Sequence, residues 1–525
     1  MPTHLDWDAI GRDAVATLSR YIQFDTTNPP GDELAAAGWL ADQLRTRGVT
    51  QDVAVHEPVA GRGLVLARIP GSEPLRPLLV THHMDVVGAD PAAWTHPPFS
   101  GAVADGFVWG RGALDTKNLG VIFLLALESL VKAGARFRRP VLFLAVPDEE
   151  TGGEHGMRWL VEQHGAEVDP EWVWDEGGGG FKDMLGPGVM FGLTVAEKQI
   201  QHIRLIAAGE PGHASMPHPD APQGILTRGL QGAISATEPL RRNAVTTTLH
   251  GAVEPVVRPS AALLNASLDS SLAQRLGAGR LRTLGRRAMG KPDAKAAPRN
   301  ANVALLRALE RVLTSPRPLR VNAITAAMFR AMAAVQPFPT SALLERLDNP
   351  LALRLAAGRL QADSALNAML RDTVSLTMLH AGYKVNVIPE RAEAEIDCRL
   401  LPDTDAAEFH AWLRETLADE RIQVEVTESS PPSGNAPLEG PFVDAITAGV
   451  HKHLPGAGVF PMLVPGATDG RYWRQRGFAA YGFAPVIMER SDLARVHGID
   501  ERISAENLLT GIKMARDIIE RLCVA

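Results

Sequence analysis

Apolar residues recur at helical spacing over residues 8–23 and 33–47, and Thr26–Gly31 (Thr-Thr-Asn-Pro-Pro-Gly) breaks the pattern with a turn. Short, continuous apolar runs follow at Leu64–Ala67, Leu78–Val80 and Val141–Val146, as expected of strands covered on both faces. A helical stretch, Leu119–Val131, separates the last two runs, so the alternation predicts an α/β sheet with helices on both sides. From Lys198 the texture changes. Gln199–Ala208 reads as a strand and Pro222–Thr237 as a helix, and strands return near Val385 and at Glu393–Leu400. Between them, residues 258–372 are rich in Leu, Ala and Arg at helical spacing, as in Ala304–Leu313. The α/β texture resumes with a helix near Val443–His453, a strand at Ala479–Phe483 and a closing helix near Ala505–Leu522. The expected organisation is one α/β domain (1–197 and 431–525) interrupted by an inserted α+β domain (198–430) that carries an extra helical segment (258–372).

At 525 residues the chain is too long for one ordinary core, which agrees with this division. A formal charge of −7 argues against nucleic acid as the main partner, because phosphate binding needs a basic face. The two cysteines, Cys398 and Cys523, form no CxxC pair or disulfide framework, which argues against a thiolate metal site and fits a reducing compartment. No basic-then-apolar leader opens the sequence and no run of about 18 apolar residues occurs, so a cytoplasmic protein without a membrane span is expected.

The chemistry gathers where strands are expected to end, which is where open α/β sheets bind ligands. The clusters are Thr81–Asp85 (Thr-His-His-Met-Asp), Gly110–Lys117 (Gly-Arg-Gly-Ala-Leu-Asp-Thr-Lys), Pro147–Gly153 (Pro-Asp-Glu-Glu-Thr-Gly-Gly) and Trp172–Gly177 (Trp-Val-Trp-Asp-Glu-Gly). A late histidine in Arg495–Glu501 (Arg-Val-His-Gly-Ile-Asp-Glu) completes them. On an extended chain His83 and Asp85 share one side, so the Asp85 carboxylate is expected to orient the imidazole by accepting its second N–H. Each cluster taken singly is more often a turn or a solvated helix end. Together, carboxylates and imidazoles without thiolates suit hydrolytic zinc, with cobalt or manganese as alternatives. No GxSxG elbow supports a serine hydrolase.

His83-x-Asp85, Asp115, Glu149-Glu150, Asp175 and His497 resemble the aminoacylase and carboxypeptidase family of two-zinc peptidases, over a span from about Asp25 to Ile519. Gly212–Ser215, Asn386–Pro389, Asp397–Arg399 and Thr468–Arg471 add to the likeness, and Thr377–Asn386 with the large insert is similar to its carboxypeptidase S-like branch. The resemblance implies a zinc-exopeptidase-type α/β catalytic domain with an inserted lid or dimerisation domain. It implies two zinc ions bridged by Asp115, with His83 and Asp175 completing one site and Glu150 and His497 the other. Glu149 would be the general base, and Asp85 the partner that orients His83 behind the metal. His213 would stabilise the oxyanion with Asn386 nearby, and Arg471 and Arg399 would hold a substrate carboxylate, a structural ion pair being the alternative for both arginines. Two departures from the pattern stand out. Thr116-Lys117-Asn118 replaces the usual Met-Lys-Gly, and Glu176 beside Asp175 offers a second carboxylate.

The expected activity is hydrolysis of a peptide or N-acyl amide beside a free carboxylate, on a small-molecule substrate. Condensation of fatty acids with amino acids at the same site is the alternative, and a dead metal-binding protein is disfavoured by the complete ligand set. His213 would come from the same chain or across a homodimer. Residues 321–336 read as a core helix, or more sharply as the lining for an acyl group, and Arg275–Arg299 as a solvated basic face.

Overall fold

The computed structural model describes residues 5–184, 187–215 and 301–525. The expected helix Pro222–Thr237, the basic stretch Arg275–Arg299 and the first part of the 258–372 segment lie outside the described residues.

Among the described residues ten strands form a mixed sheet in the order Val53–Val59, Arg62–Ile69, Val141–Val146, Leu78–His83, Trp172–Asp175, Ala479–Gly482, Val189–Glu197, Gly179–Lys182 and Ile487–Met488, with Gly458–Val464 also paired to Val189–Glu197. At its centre Leu78–His83 runs parallel to both Val141–Val146 and Trp172–Asp175. Every residue of Leu78–His83 and Val141–Val146 is buried, which explains why these runs lack polar alternation. The helix Lys117–Lys132 is apolar around its whole circumference because Trp7–Ile22 and Ala505–Cys523 cover its outer side while its inner side lies on the sheet. Asp6 caps the first of those helices, its carboxylate accepting the Ala9 N–H at 2.9 Å.

The chain leaves this sheet at Glu197 and enters a second one at Gln199. That sheet is antiparallel, in the order Thr373–Ala381, Arg391–Leu400, Gln199–Ala208, Ile422–Ser429. Arg391–Leu400 alternates buried and partly exposed residues, and helices Ala301–Leu313 and Ala406–Leu417 cover its buried face. The strand expected near Val385 is only Val387–Ile388, paired with Gly212–His213, and Val385 itself is fully exposed.

The apolar stretch 321–336 is a core helix, Ala323–Ala333, started by an Asn322–Thr325 capping box. Met328, Phe329 and Met332 join Phe460 and Met462 of the strand Gly458–Val464, so this part of the helical segment adheres to the large sheet.

Candidate metal centre

The parallel strands at the centre of the large sheet deliver the chemistry at their carboxyl ends. Leu78–His83 ends on His83, Val141–Val146 runs into Pro147 and the turn Glu149–Thr151, and Trp172–Asp175 runs into Glu176. Asp115 arrives from the loop before the helix Lys117–Lys132, and His497 from a loop where it takes a left-handed conformation at φ 58°.

Two three-ligand clusters result, sharing one residue. His83, Asp115 and Glu176 form one and Asp115, Glu150 and His497 the other, with the ligand atoms of each cluster within 4.8 Å of one another. Asp115 presents one oxygen to each side. Oδ1 lies 3.1 Å from His83 Nε2, and Oδ2 lies 3.1 Å from His497 Nε2. His497 Nε2 is also 3.3 Å from Glu150 Oε2, and His83 Nε2 is 3.7 Å from Glu176 Oε2.

Two expectations are corrected by this geometry. Glu176, not Asp175, faces the cluster. Neighbours along a strand point to opposite sides; Asp175 turns toward the start of the helix Gly470–Arg474, where it meets the Gly470 backbone and the Arg474 charge. The second correction concerns Asp85. His83 Nδ1 is 2.9 Å from the backbone oxygen of Asp85, whereas the carboxylate is 3.6 Å away. A carbonyl oxygen only accepts, so Nδ1 carries a proton, and Nε2 is the nitrogen that would bind a metal ion. The Asp85 carboxylate instead accepts the backbone N–H groups of Glu149 and Glu150, each at 3.1 Å.

The electrostatics suit divalent cations. Burial raises Glu176 to about 7 and Asp175 to about 6, and it pushes Glu149 well above the carboxylate range, with Glu176 adding to the effect. His497 is raised to about 10 by its contacts with Asp115 and then Glu150. Burial would lower His83, yet Glu176 and Asp115 outweigh it and raise it. A site this negative draws positive charge. Glu150 Oε1 is buried without a hydrogen-bond partner, and the donor set of two imidazoles and three carboxylates is one that zinc, cobalt or manganese accepts.

The remaining expected residues are placed variously. Arg471 is buried beside the Glu149 turn, its Nη2 donating to the Gly152 carbonyl at 2.9 Å, and it lies over the Tyr472 ring. Arg399 donates to Asp397 through Nε and Nη2, at 2.8 and 3.1 Å, the structural ion pair named as its alternative. His213 and Asn386 come together on the exposed Gly212–His213 ladder, where Asn386 O accepts the Ala214 N–H at 3.1 Å. Among the described residues no hydrogen bond or ion pair joins either to the metal cluster.

Glu501 was missed as a functional residue. Fully buried, it accepts the backbone N–H groups of Leu114 and Asp115, at 2.6 and 3.0 Å, and pairs with Arg111 at 2.7 Å. It therefore fixes the loop that presents Asp115. Its place four residues after His497 was the available signal.

Residues 79–521 match peptidase family M20/M25/M40. The chain belongs to this family. Among M20 relatives, the N-fatty-acyl-amino acid synthase/hydrolase PM20D1 of Xenopus tropicalis is 28% identical over 460 residues, 86% of this chain and 73% of that protein. A probable carboxypeptidase S-like 2 of Dictyostelium discoideum is 25% identical, covering 83% of this chain and 69% of its own. In fold, the chain is similar to an M20 family metallo-carboxypeptidase from Sulfolobus solfataricus, with a TM-score of 0.61 at 15% identity over 97% of this chain and 98% of that one. The protein is thus an M20 metallohydrolase.

Proposed function

We propose that this M20 enzyme hydrolyses a peptide or N-acyl amide bond beside an amino acid with a free carboxylate. The observation that carries the reading is Asp115, shared between two ligand clusters with the half-buried Glu149 carboxyl beside them. His83, Asp115 and Glu176 would hold one zinc ion, and Asp115, Glu150 and His497 the other. When bound, the ions supply Lewis acidity, polarising the amide carbonyl and lowering the pKa of a water toward ~7. Glu149 takes that water's proton and returns it to the leaving amine. Burial among carboxylates raises its pKa, which strengthens it as the base. Arg471 is the group proposed to clamp the substrate carboxylate, because its guanidinium lies beside the Glu149 turn. His213, with Asn386, would complete the oxyanion site on closure of the inserted domain, and Arg399 would assist at the carboxylate only by releasing Asp397.

Metal titration of chelated protein tests the reading. Exhaustively metal-free protein should be inactive and recover with two equivalents of zinc. Glu149→Gln should keep both ions and lose ~10²–10⁴-fold in turnover, while Glu150→Gln should lose metal as well. Full turnover by metal-free protein would overturn it. Among substrates, N-fatty-acyl amino acids are the class favoured by the PM20D1 likeness, since it spans 86% of the chain. Release of fatty acid from them, and condensation at high fatty acid and amino acid, distinguish that class from dipeptides.

A further inference from the structure

Glu149 and Glu150 ride on a turn that begins at Asp148, a non-glycine residue in the left-handed region at φ 75°. Such a conformation persists where the surroundings over-determine it. Here the surroundings converge on Arg62, a buried residue at the start of the strand Arg62–Ile69, two strands away in the sheet from the His83 strand. Arg62 Nη2 donates to Asp148 Oδ1 at 2.8 Å, Nη1 donates to the Pro30 carbonyl at 2.9 Å and to Asn28 Oδ1 at 3.3 Å, and Nε lies 2.9 Å from Glu33 Oε2. Asn28 extends the reach. Its Nδ2 is 2.8 Å from Asp85 Oδ2 and 2.9 Å from Thr151 Oγ1, and Asp85 is the residue that accepts the Glu149 and Glu150 N–H groups. Gly31, at φ 77°, makes room for the guanidinium: a Cβ there would sit 2.1 Å from Arg62 Nη1.

We propose that Arg62 is a positioning residue for catalysis, its guanidinium holding the Asp148–Thr151 turn through Asp148 on one side and through Asn28 and Asp85 on the other, so that Glu149 and Glu150 meet the cluster in register. This rests on Glu149 being the general base. Among the described residues Arg62 makes no hydrogen bond or ion pair to a cluster residue, so it acts through the turn. A guanidinium is suited to this because one rigid fork satisfies a carboxylate, a carbonyl and an amide oxygen at once, which an ammonium does not reproduce.

The test compares Arg62→Gln, Arg62→Lys, Glu149→Gln and the double variant Arg62→Gln/Glu149→Gln, all loaded with metal and checked for folding by thermal melt. Arg62→Gln should lower kcat ~10–100-fold, the size of effect expected from a displacement of about 1 Å at the reacting centre, with KM changed less than threefold. Arg62→Lys should recover only part of the loss. Because Glu150 shares the turn, the visible absorption bands of the cobalt-substituted protein should shift in Arg62→Gln. The double variant should lose clearly less than the product of the two single losses, since Arg62 acts in part through that residue. A kcat within threefold of the parent, unshifted cobalt bands, or a fully multiplicative loss in the double variant would each overturn the proposal. If Arg62→Gln does not fold, Arg62→Lys carries the same readouts, and a parental kcat with parental bands overturns the idea there. Failure of the base assignment itself looks different, because Glu149→Gln alone would then keep its turnover.

Discussion

Asp175 and Glu176 are adjacent carboxylates with opposite surroundings. Asp175 faces the amide of Gly470 and the charge of Arg474, and Glu176 faces His83. Both are raised by burial, so titration alone does not tell ligand from neighbour, but direction does. Glu176→Ala should therefore weaken one of the two metal sites by more than the ~10–100-fold typical of residues behind a ligand, and Asp175→Asn by no more than that range. Isothermal titration with zinc after chelation measures both; equal losses would mean that the strand end does not separate the two side chains. The sequence held both residues as carboxylates in the right phrase. Which one points inward depended on the face of a strand whose last residue is a boundary position, and adjacent residues there exchange roles with a shift of one.

Secondary-structure elements matter here mainly for where they stop. The short strand Arg502–Ser504 pairs with Phe107–Trp109, which ties the loop bearing His497 and Glu501 to the loop bearing Asp115. Glu501 then bonds the Leu114 and Asp115 amides directly, and Arg111 neutralises it. Glu501→Ala leaves the buried Arg111 unpaired and should cost ~3–5 kcal/mol of stability, as breaking buried pairs does, read as a lower urea midpoint. Glu501→Gln keeps a hydrogen-bonding oxygen for the Asp115 loop and should lose less. An Ala variant as stable as the parent would mean that Arg111 finds another partner. Of the elements themselves, the central strands and the long helices were legible from their apolar runs. Val53–Val59, Val189–Glu197 and Gly458–Val464 were not foreseen: the first is a half-exposed edge strand, and the third carries Pro461 in its middle.

At the scale of the molecule, two sheets meet at Lys198. Its backbone N–H donates to Val464 O at 3.1 Å while Gln199 already pairs with Leu400 in the second sheet. All cluster residues lie at the large sheet's strand ends or in the loops beside them, and His213 stands on the other side of this junction with its Nδ1 2.7 Å from the Ser215 hydroxyl. If His213 serves the reaction, the parts must close or a second chain must supply it. His213→Ala should lower turnover ~10²–10³-fold, as the loss of one oxyanion donor does. Mixing that variant with Glu149→Gln separates the routes: recovered activity assigns His213 to the partner subunit, and no recovery despite demonstrated subunit exchange assigns it to the same chain. A His213→Ala enzyme with parental turnover would remove the histidine from the mechanism.

The linear sequence was sufficient for the α/β class, for the strand-end location of the chemistry and for four residues that the fold gathers into the two candidate clusters, His83, Asp115, Glu150 and His497. Those rest on local signals: apolar runs long enough to be buried on both faces, and polar residues that follow them immediately. Only the folded chain decided that Glu176 faces the cluster, that Asp85 holds the histidine ring by its backbone oxygen and the Glu149 turn by its carboxylate, and that Glu501, Asn28 and Arg62 reach the site. Asn28 and Arg62 meet Asp148 across 120 and 86 residues of chain, and Glu501 meets Asp115 across 386. Hydrogen bonds of this kind depend on the packing of strands and loops, and no periodicity along the chain records them.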